Sequence, residues 1–263
     1  ICLSYCQMLQ ALIIKKNWKK LEVQSSMAFL IGSILFAIGS VNELQNQLIF
    51  KTFFMTGSVM FLIGGSIQLW QTIRAYRRHH NIVLISFSLA LVGVISAKAG
   101  TLFFNTDSIS SWLNLNVSSH AKQLLEPDAY MAGATLFLVS GIAHYVELSH
   151  GRLFFIEKNH LAWWSCISQL LGSALYCCSA LHGIKTLNIW PISLISEEQS
   201  IMLCLIASIV FAFMSLCLLA ECSENDIQSN QTSNRCPSQS FGQFQQSVRT
   251  MKPGEAVENS RQT

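Results

Sequence analysis

Residues 29–70 read FLIGSILFAIGSVNELQNQLIFKTFFMTGSVMFLIGGSIQLW. The stretch contains two apolar runs joined by a short polar turn. Each run carries the same pattern: a small pair, an aromatic four residues after its first member, then another small pair. Gly32-Ser33, Phe36 and Gly39-Ser40 form the first copy, and Gly57-Ser58, Phe61 and Gly64-Gly65 the second. A seven-residue spacing holds small residues on one face of a helix. In lipid no hydrophobic force joins helices, so close backbone approach through small residues takes its place. The pattern therefore predicts a tightly packed pair of membrane-crossing helices.

The rest of the chain extends this reading. Of 263 residues 51% are hydrophobic and only 12% charged, with mean hydropathy +0.40. Soluble domains carry about 25% charged residues. The deficit is concentrated in six apolar runs, at about 27–44, 53–73, 82–104, 129–148, 161–184 and 200–221. Each is near the ~20 residues that cross a bilayer as a helix. Helices are expected because lipid offers no partner to an unpaired backbone group. All four prolines fall outside the runs, as unbroken helices require. The fold class is thus an all-α polytopic membrane bundle of six transmembrane helices. The expected divisions are a basic juxtamembrane segment at 1–26, a transmembrane domain at 27–222 and a tail at 223–263. The tail is rich in Ser, Gln, Asn and Thr, has no apolar run and only Phe241 and Phe244 as aromatics, and is expected to be disordered and cytoplasmic. Residue 1 is Ile, which suggests a fragment or a translation that begins upstream of Met8 or Met27. In residues 1–26 the lysines follow the apolar run, the reverse of a signal peptide.

Orientation follows from the basic residues. With six spans, 13 of the 17 Lys and Arg fall on one side and three on the other, and Lys98 lies inside a helix. Positive charge stays cytoplasmic, so both termini are expected there. Trp18, Trp70, Trp163 and Trp164 fall at inner ends of spans, and Trp112 and Trp190 in outer connections, as an aromatic belt would have it. None of the nine cysteines lies in an outer connection, so no disulfide framework is implied. The longest outer loop, 105–128, is mildly acidic through Asp107, Glu126 and Asp128 and carries the sequon Asn116-Val117-Ser118.

The small–aromatic–small pattern recurs. Span four has Gly133-Ala134, Phe137 and Ser140-Gly141, and span five Gly172-Ser173, Tyr176 and Ser179-Ala180. Span six has a weaker copy in Ala207-Ser208, Phe211 and Ser215, and span three fits least well, with Ser86, Gly93 and Ser96. This suggests a 3+3 repeat, with units at 27–104 and 129–222. A three-helix unit repeated in tandem inserts its second copy upside down, as in many transporters. From about Trp18 to Arg74 the chain resembles the YrhK-like domain family, a two-helix membrane module with glycine-serine and phenylalanine motifs in each helix. Residues 129–184 read as a second, diverged copy. The resemblance implies a multi-pass membrane protein and supplies no catalytic residues.

Few residues suggest chemistry. Lys98 is an ammonium inside span three, which costs about 2.5–3.5 kcal/mol at a bilayer centre. At six residues from the expected outer end it could snorkel outward, pair with Glu43, or serve an ion or substrate. His144, Glu147 and His150 form H-x-x-E-x-x-H near the inner end of span four. Neighbours three apart are adjacent on a helix, but the spacing matches no established zinc motif. His79, His80 and His160 fall on the same side. Cys178 and His182 form a weaker pair. No nucleophile elbow, zinc-protease or phosphate-loop motif is present, and the span interiors contain almost no acids. No catalytic residue, metal or cofactor is expected. A net charge of +3 without a basic aromatic patch argues against nucleic acid.

The first functional expectation is a structural or interaction role through helix packing at Gly32, Gly39, Gly57, Gly64, Gly133 and Gly172. The expected partners are the lipid bilayer and a further copy of the chain, in the cell or plasma membrane. The alternative is a small-solute transporter or channel with a polar midplane cavity lined by Ser33, Ser58, Ser88, Lys98 and Ser173. A third reading, a membrane metalloenzyme, requires the histidines to converge.

Overall fold

A computed structural model describes residues 20–42, 46–78, 84–113, 118, 121–122, 124–149, 160–182 and 195–233. Two units are distinguished, Ile1–Ala220 and Glu221–Thr263. Among the described residues six long helices carry the architecture: α1 Leu21–Asn42, α2 Gln47–Arg78, α3 Leu84–Leu113, α4 Ala129–Leu148, α5 Leu161–Ala180 and α6 Glu197–Ser233. A single π-helical turn, Leu124–Asp128, holds Pro127 and leads into α4. Among the described residues there is no strand. Among the described residues five segments are long and apolar enough to cross a membrane: Leu21–Val41, Gln47–Arg74, Leu89–Leu113, Leu124–Leu148 and Glu197–Ser223.

Several boundaries differ from the sequence reading. Helix α1 starts at Leu21, so the end of the expected juxtamembrane segment is helical and packed: Ser25 Oγ donates to the Gly64 carbonyl at 3.0 Å. Helix α3 runs to Leu113, which places Asn105 and Asp107 inside a helix and not in an outer loop. Hydroxyls make this extension cheap, since Thr106 Oγ1 bonds back to the Leu102 carbonyl at 3.0 Å and needs no other partner. In the second unit α6 continues to Ser233, into the expected tail. Nothing in 221–233 breaks a helix, and the first proline beyond it is Pro237. Residues 234–263 lie outside the described residues.

Within the first unit the helices are aliphatic outside and small, polar or aromatic inside. Ser33, Ser58, Ser140, Ser173, Ser208 and Ser215 are 0% exposed, whereas Ile34, Ile63, Ile95 and Ile209 are 47%, 45%, 50% and 56% exposed. In water this arrangement would bury the wrong residues. In lipid it is the expected one, because small residues admit close helix contact and aliphatic chains meet acyl chains. Several of the interior hydroxyls are satisfied within their own helices, whereas Ser108 Oγ has no partner among the described residues. Ser33, Ser173, Ser208 and Ser215 donate to the carbonyls of Phe29, Gln169, Cys204 and Phe211 at 2.7–2.9 Å.

Consecutive helices adjoin from α1 to α5. Tyr176 and Ser208 hydroxyls join α5 to α6 at 2.8 Å, and Ser40 Oγ on Cys204 Sγ at 3.4 Å joins α6 back to α1. The contacts recur by hairpin. A Cβ on Gly32 would stand 3.0 Å from the Gly57 carbonyl, and one on Gly57 would stand 3.1 Å from that of Gly32. Gly100 and Gly133 repeat these values, 3.0 and 3.1 Å. In the third hairpin Ala207 replaces a glycine, and the Gly172 distance to its carbonyl opens to 3.5 Å. These contacts are shared by the antiparallel pairs α1–α2, α3–α4 and α5–α6.

Candidate functional site

The aromatic of each motif lies one helical turn from its glycine or alanine, and the hairpin geometry aims it inward. Phe36, Phe61, Phe104, Phe137, Tyr176 and Phe211, one from each helix, line a single central void. The rings of the even-numbered helices form a near-regular triangle. Phe61–Phe137, Phe61–Phe211 and Phe137–Phe211 have centroids 6.1, 5.9 and 6.0 Å apart, at interplanar angles of 77°, 78° and 76°. Each of these rings also meets its hairpin partner: Phe36–Phe61 at 5.3 Å, Phe104–Phe137 at 5.5 Å and Tyr176–Phe211 at 5.6 Å. These are the edge-on and tilted geometries that ring quadrupoles favour. Three near-identical distances show three hairpins disposed about one axis. The glycines make this possible, since a Cβ on Gly32 would fall 2.5 Å from the Phe61 ring and one on Gly172 2.8 Å from the Phe211 ring.

The void holds about 10 Å³. That is at the lower limit for one water, which would also need polar partners. Six apolar ring faces offer none, so the hub is dry and tightly filled.

Phe104 completes the set that the sequence pattern left at five. Its motif is Gly100-Thr101, Phe104 and Asp107-Ser108. Thr and Asp occupy places where Gly, Ser or Ala stand in the other helices, save for Met214 in α6, and the expected span ends at residue 104. Seven-residue spacing from Gly93 to Gly100 was the available signal.

The polar side chains lie around the hub. Asn105 is buried between α2 and α3. Its Nδ2 donates to the Ser58 carbonyl at 2.9 Å and the Thr101 carbonyl at 2.8 Å, and its Oδ1 accepts from Ser58 Oγ at 3.3 Å. We expect Asn105→Leu to cost about 1–2 kcal/mol, the upper range for interhelical hydrogen bonds in membranes. Asn105→Asp should cost more, because a carboxylate would face two carbonyl acceptors. Thermal unfolding in detergent checks the order.

His144 Nδ1 lies 3.0 Å from Gln169 Oε1, and Gln169 Nε2 donates to Ser140 Oγ at 3.0 Å. The imidazole rests on Gly93, where a Cβ would come within 2.5 Å of it. His144 thus fastens α4 to α5 and α3. Gln169 was not anticipated, since a lone amide in an apolar run has no spacing signal. Glu147 is half-buried on α4, and its side chain makes no hydrogen bond or ion pair among the described residues. His79, His80 and His150 lie outside the described residues. Among those described, no three His, Cys, Asp or Glu are grouped as metal ligands. His182 does not pair with Cys178; its Nδ1 meets the Ile195 carbonyl at 2.9 Å. The six cysteines among the described residues form no disulfide.

Lys98 stands at the middle of α3 and not near its outer end, because that helix extends to Leu113. Its Nζ donates to the Leu62 carbonyl at 3.1 Å and to Ser66 Oγ, both on α2. Glu43, the expected partner, lies outside the described residues. The cavity expected from Ser33, Ser58, Ser88, Lys98 and Ser173 is not formed by those described. Ser33, Ser58 and Ser173 are fully buried on their own helix carbonyls, and Lys98 is held against α2. The side chain of Ser88 is not described. Among the packing glycines, Gly32, Gly57, Gly133 and Gly172 meet rings of the hub, Gly39 meets Phe54 at 2.8 Å, and Gly64 meets Phe29 at 3.0 Å.

Five apolar helices of spanning length, with an aliphatic exterior and a serine and glycine interior, define a multi-pass helical membrane protein. Comparison with protein-family models, with curated proteins and with solved structures finds no match to this chain.

Proposed function

We propose that this chain is a six-span membrane protein with a structural or interaction role, both termini in the cytoplasm of the cell that carries it in its plasma membrane. The observation that carries the reading is the dry aromatic hub. A filled centre joined to all six helices suits a rigid body that presents its surface to lipid or to further copies of itself. It does not suit a conduit, and no described cluster suits catalysis. Helix α5 is the sixth span in this reading, although it is not among the five segments long and apolar enough by themselves. Its support is Tyr176, which contacts Phe36, Phe104 and Phe211 at 6.4, 5.8 and 5.6 Å. A helix that lay on the membrane surface could not bring that ring to the level of the others. The glycine and phenylalanine motifs of α1 and α2 are also the ground for proposing kinship with the YrhK-like domain family.

Reporter fusions test the layout. A fusion at Arg78, the end of α2, should report the cytoplasm, and one after α5, at residue 186, the opposite side. A residue-186 fusion on the cytoplasmic side would remove the sixth span. A residue-78 fusion outside would reverse the orientation.

A further inference from the structure

The seam between α2 and α3 carries positive charge that no described group neutralises. Lys98 Nζ donates to two neutral acceptors on α2, the Leu62 carbonyl and Ser66 Oγ. An ammonium has three donors, and no carboxylate pairs with this one among the described residues. Ser66, Trp70 and Arg74 follow each other at intervals of four along α2, about 6 Å per step, and all three are exposed. Neither the Trp70 indole nor the Arg74 guanidinium has a partner among the described residues. On the other side of Ser66 the same helix exposes Ile63 and Val59.

These groups form a graded series. Aliphatic chains come first, then an ammonium beside a hydroxyl, then an indole, then a guanidinium. Trp marks the level where headgroups meet acyl chains, and Lys can extend toward that level from a deeper Cα. Cations at two depths beside an indole complement a phosphate group attached to acyl chains. A choline headgroup brings its own positive charge and loses that complementarity.

We propose that the α2–α3 seam is a binding site for one anionic phospholipid, with Lys98 and Arg74 directed to its phosphate and Val59 and Ile63 against its acyl chain. The site rests on the membrane reading above.

Native mass spectrometry of the full chain in detergent, titrated with phosphatidylglycerol or phosphatidylcholine, tests it. We expect retained phosphatidylglycerol to exceed phosphatidylcholine at least fivefold. Arg74→Gln and Lys98→Met should each lower retention about fivefold, the scale of one basic residue at an anionic surface. Lys98→Arg should restore it, and Lys122→Gln should leave it unchanged. Equal retention of the two lipids would overturn the site, as would binding of inorganic phosphate that abolishes the preference. If Lys98→Met does not fold, Arg74→Gln decides alone, since its side chain is exposed and bonds to nothing described. Release of the chain from membranes by alkaline carbonate would overturn the membrane reading itself; retention without lipid preference overturns only the site.

Discussion

Replacing Gly32 with leucine is expected to abolish the folded bundle. A Cβ alone would meet the Phe61 ring at 2.5 Å and the Gly57 carbonyl at 3.0 Å. The ring cannot retreat, because it touches Phe29, Phe36, Phe137 and Phe211. The carbonyl belongs to the α2 backbone and cannot move without the helix. Overpacking of this kind costs about 3 kcal/mol or more, a large part of a typical stability. Gly65→Ala is the control. Its Cβ would find its nearest neighbour, Lys98 Cδ, at 3.9 Å, an ordinary contact. We expect that change to lie within about 0.5 kcal/mol of the parent. Monodispersity on gel filtration and the midpoint of thermal unfolding in detergent read both. Equal stability of the two variants would refute the packing account.

The second large effect is expected at Phe211. This ring is 2% exposed and meets Phe61, Phe137 and Tyr176. In a water-soluble core Phe→Ala costs about 3–5 kcal/mol, as a transfer part and a cavity part. The transfer part shrinks here, because the chain in lipid never exposes the ring to water. The cavity part remains, since Phe36, Phe61, Phe104 and Phe137 are held in glycine notches and Tyr176 packs between Phe36, Phe104 and Phe211. We therefore expect Phe211→Ala to cost about 2–3 kcal/mol, and Phe211→Leu distinctly less. Phe213→Ala, on the exposed side of the same helix, should cost little. The contrast between Phe211 and Phe213 isolates the hub from general apolarity.

How far the sequence led can be judged from these residues. Gly32, Phe36, Gly57 and Phe61 were legible as a motif because period and composition agree: small residues seven apart with an aromatic between. That each aromatic points to a common centre was not legible. Convergence depends on how three hairpins are arranged, and a local spacing carries no such information. Phe104 was hidden because Thr101 and Asp107 stand where small residues were sought. The ends of α3 and α6 lie beyond the apolar runs for a related reason. Ser, Thr, Asn and Asp lower hydropathy, yet their side chains can bond to the preceding turn and let the helix continue. Lys98 was placed near an outer interface by that same early stop, and its actual acceptors, Leu62 and Ser66, lie on a helix 32 to 36 residues away. Asn105 and Gln169 gave no pattern at all, since a single polar residue in an apolar run acquires meaning only from the helix opposite.

The central claim is that lipid is the solvent of this bundle, with isoleucines facing it and serines and rings turned away. Carbene labelling from a lipid-soluble diazirine in reconstituted vesicles, mapped by mass spectrometry, tests it most directly. The account predicts label on Ile34, Ile63, Ile95 and Ile209, and none on Phe36, Phe61, Phe137 or Phe211. Label on the ring positions, with the isoleucines spared, would contradict it.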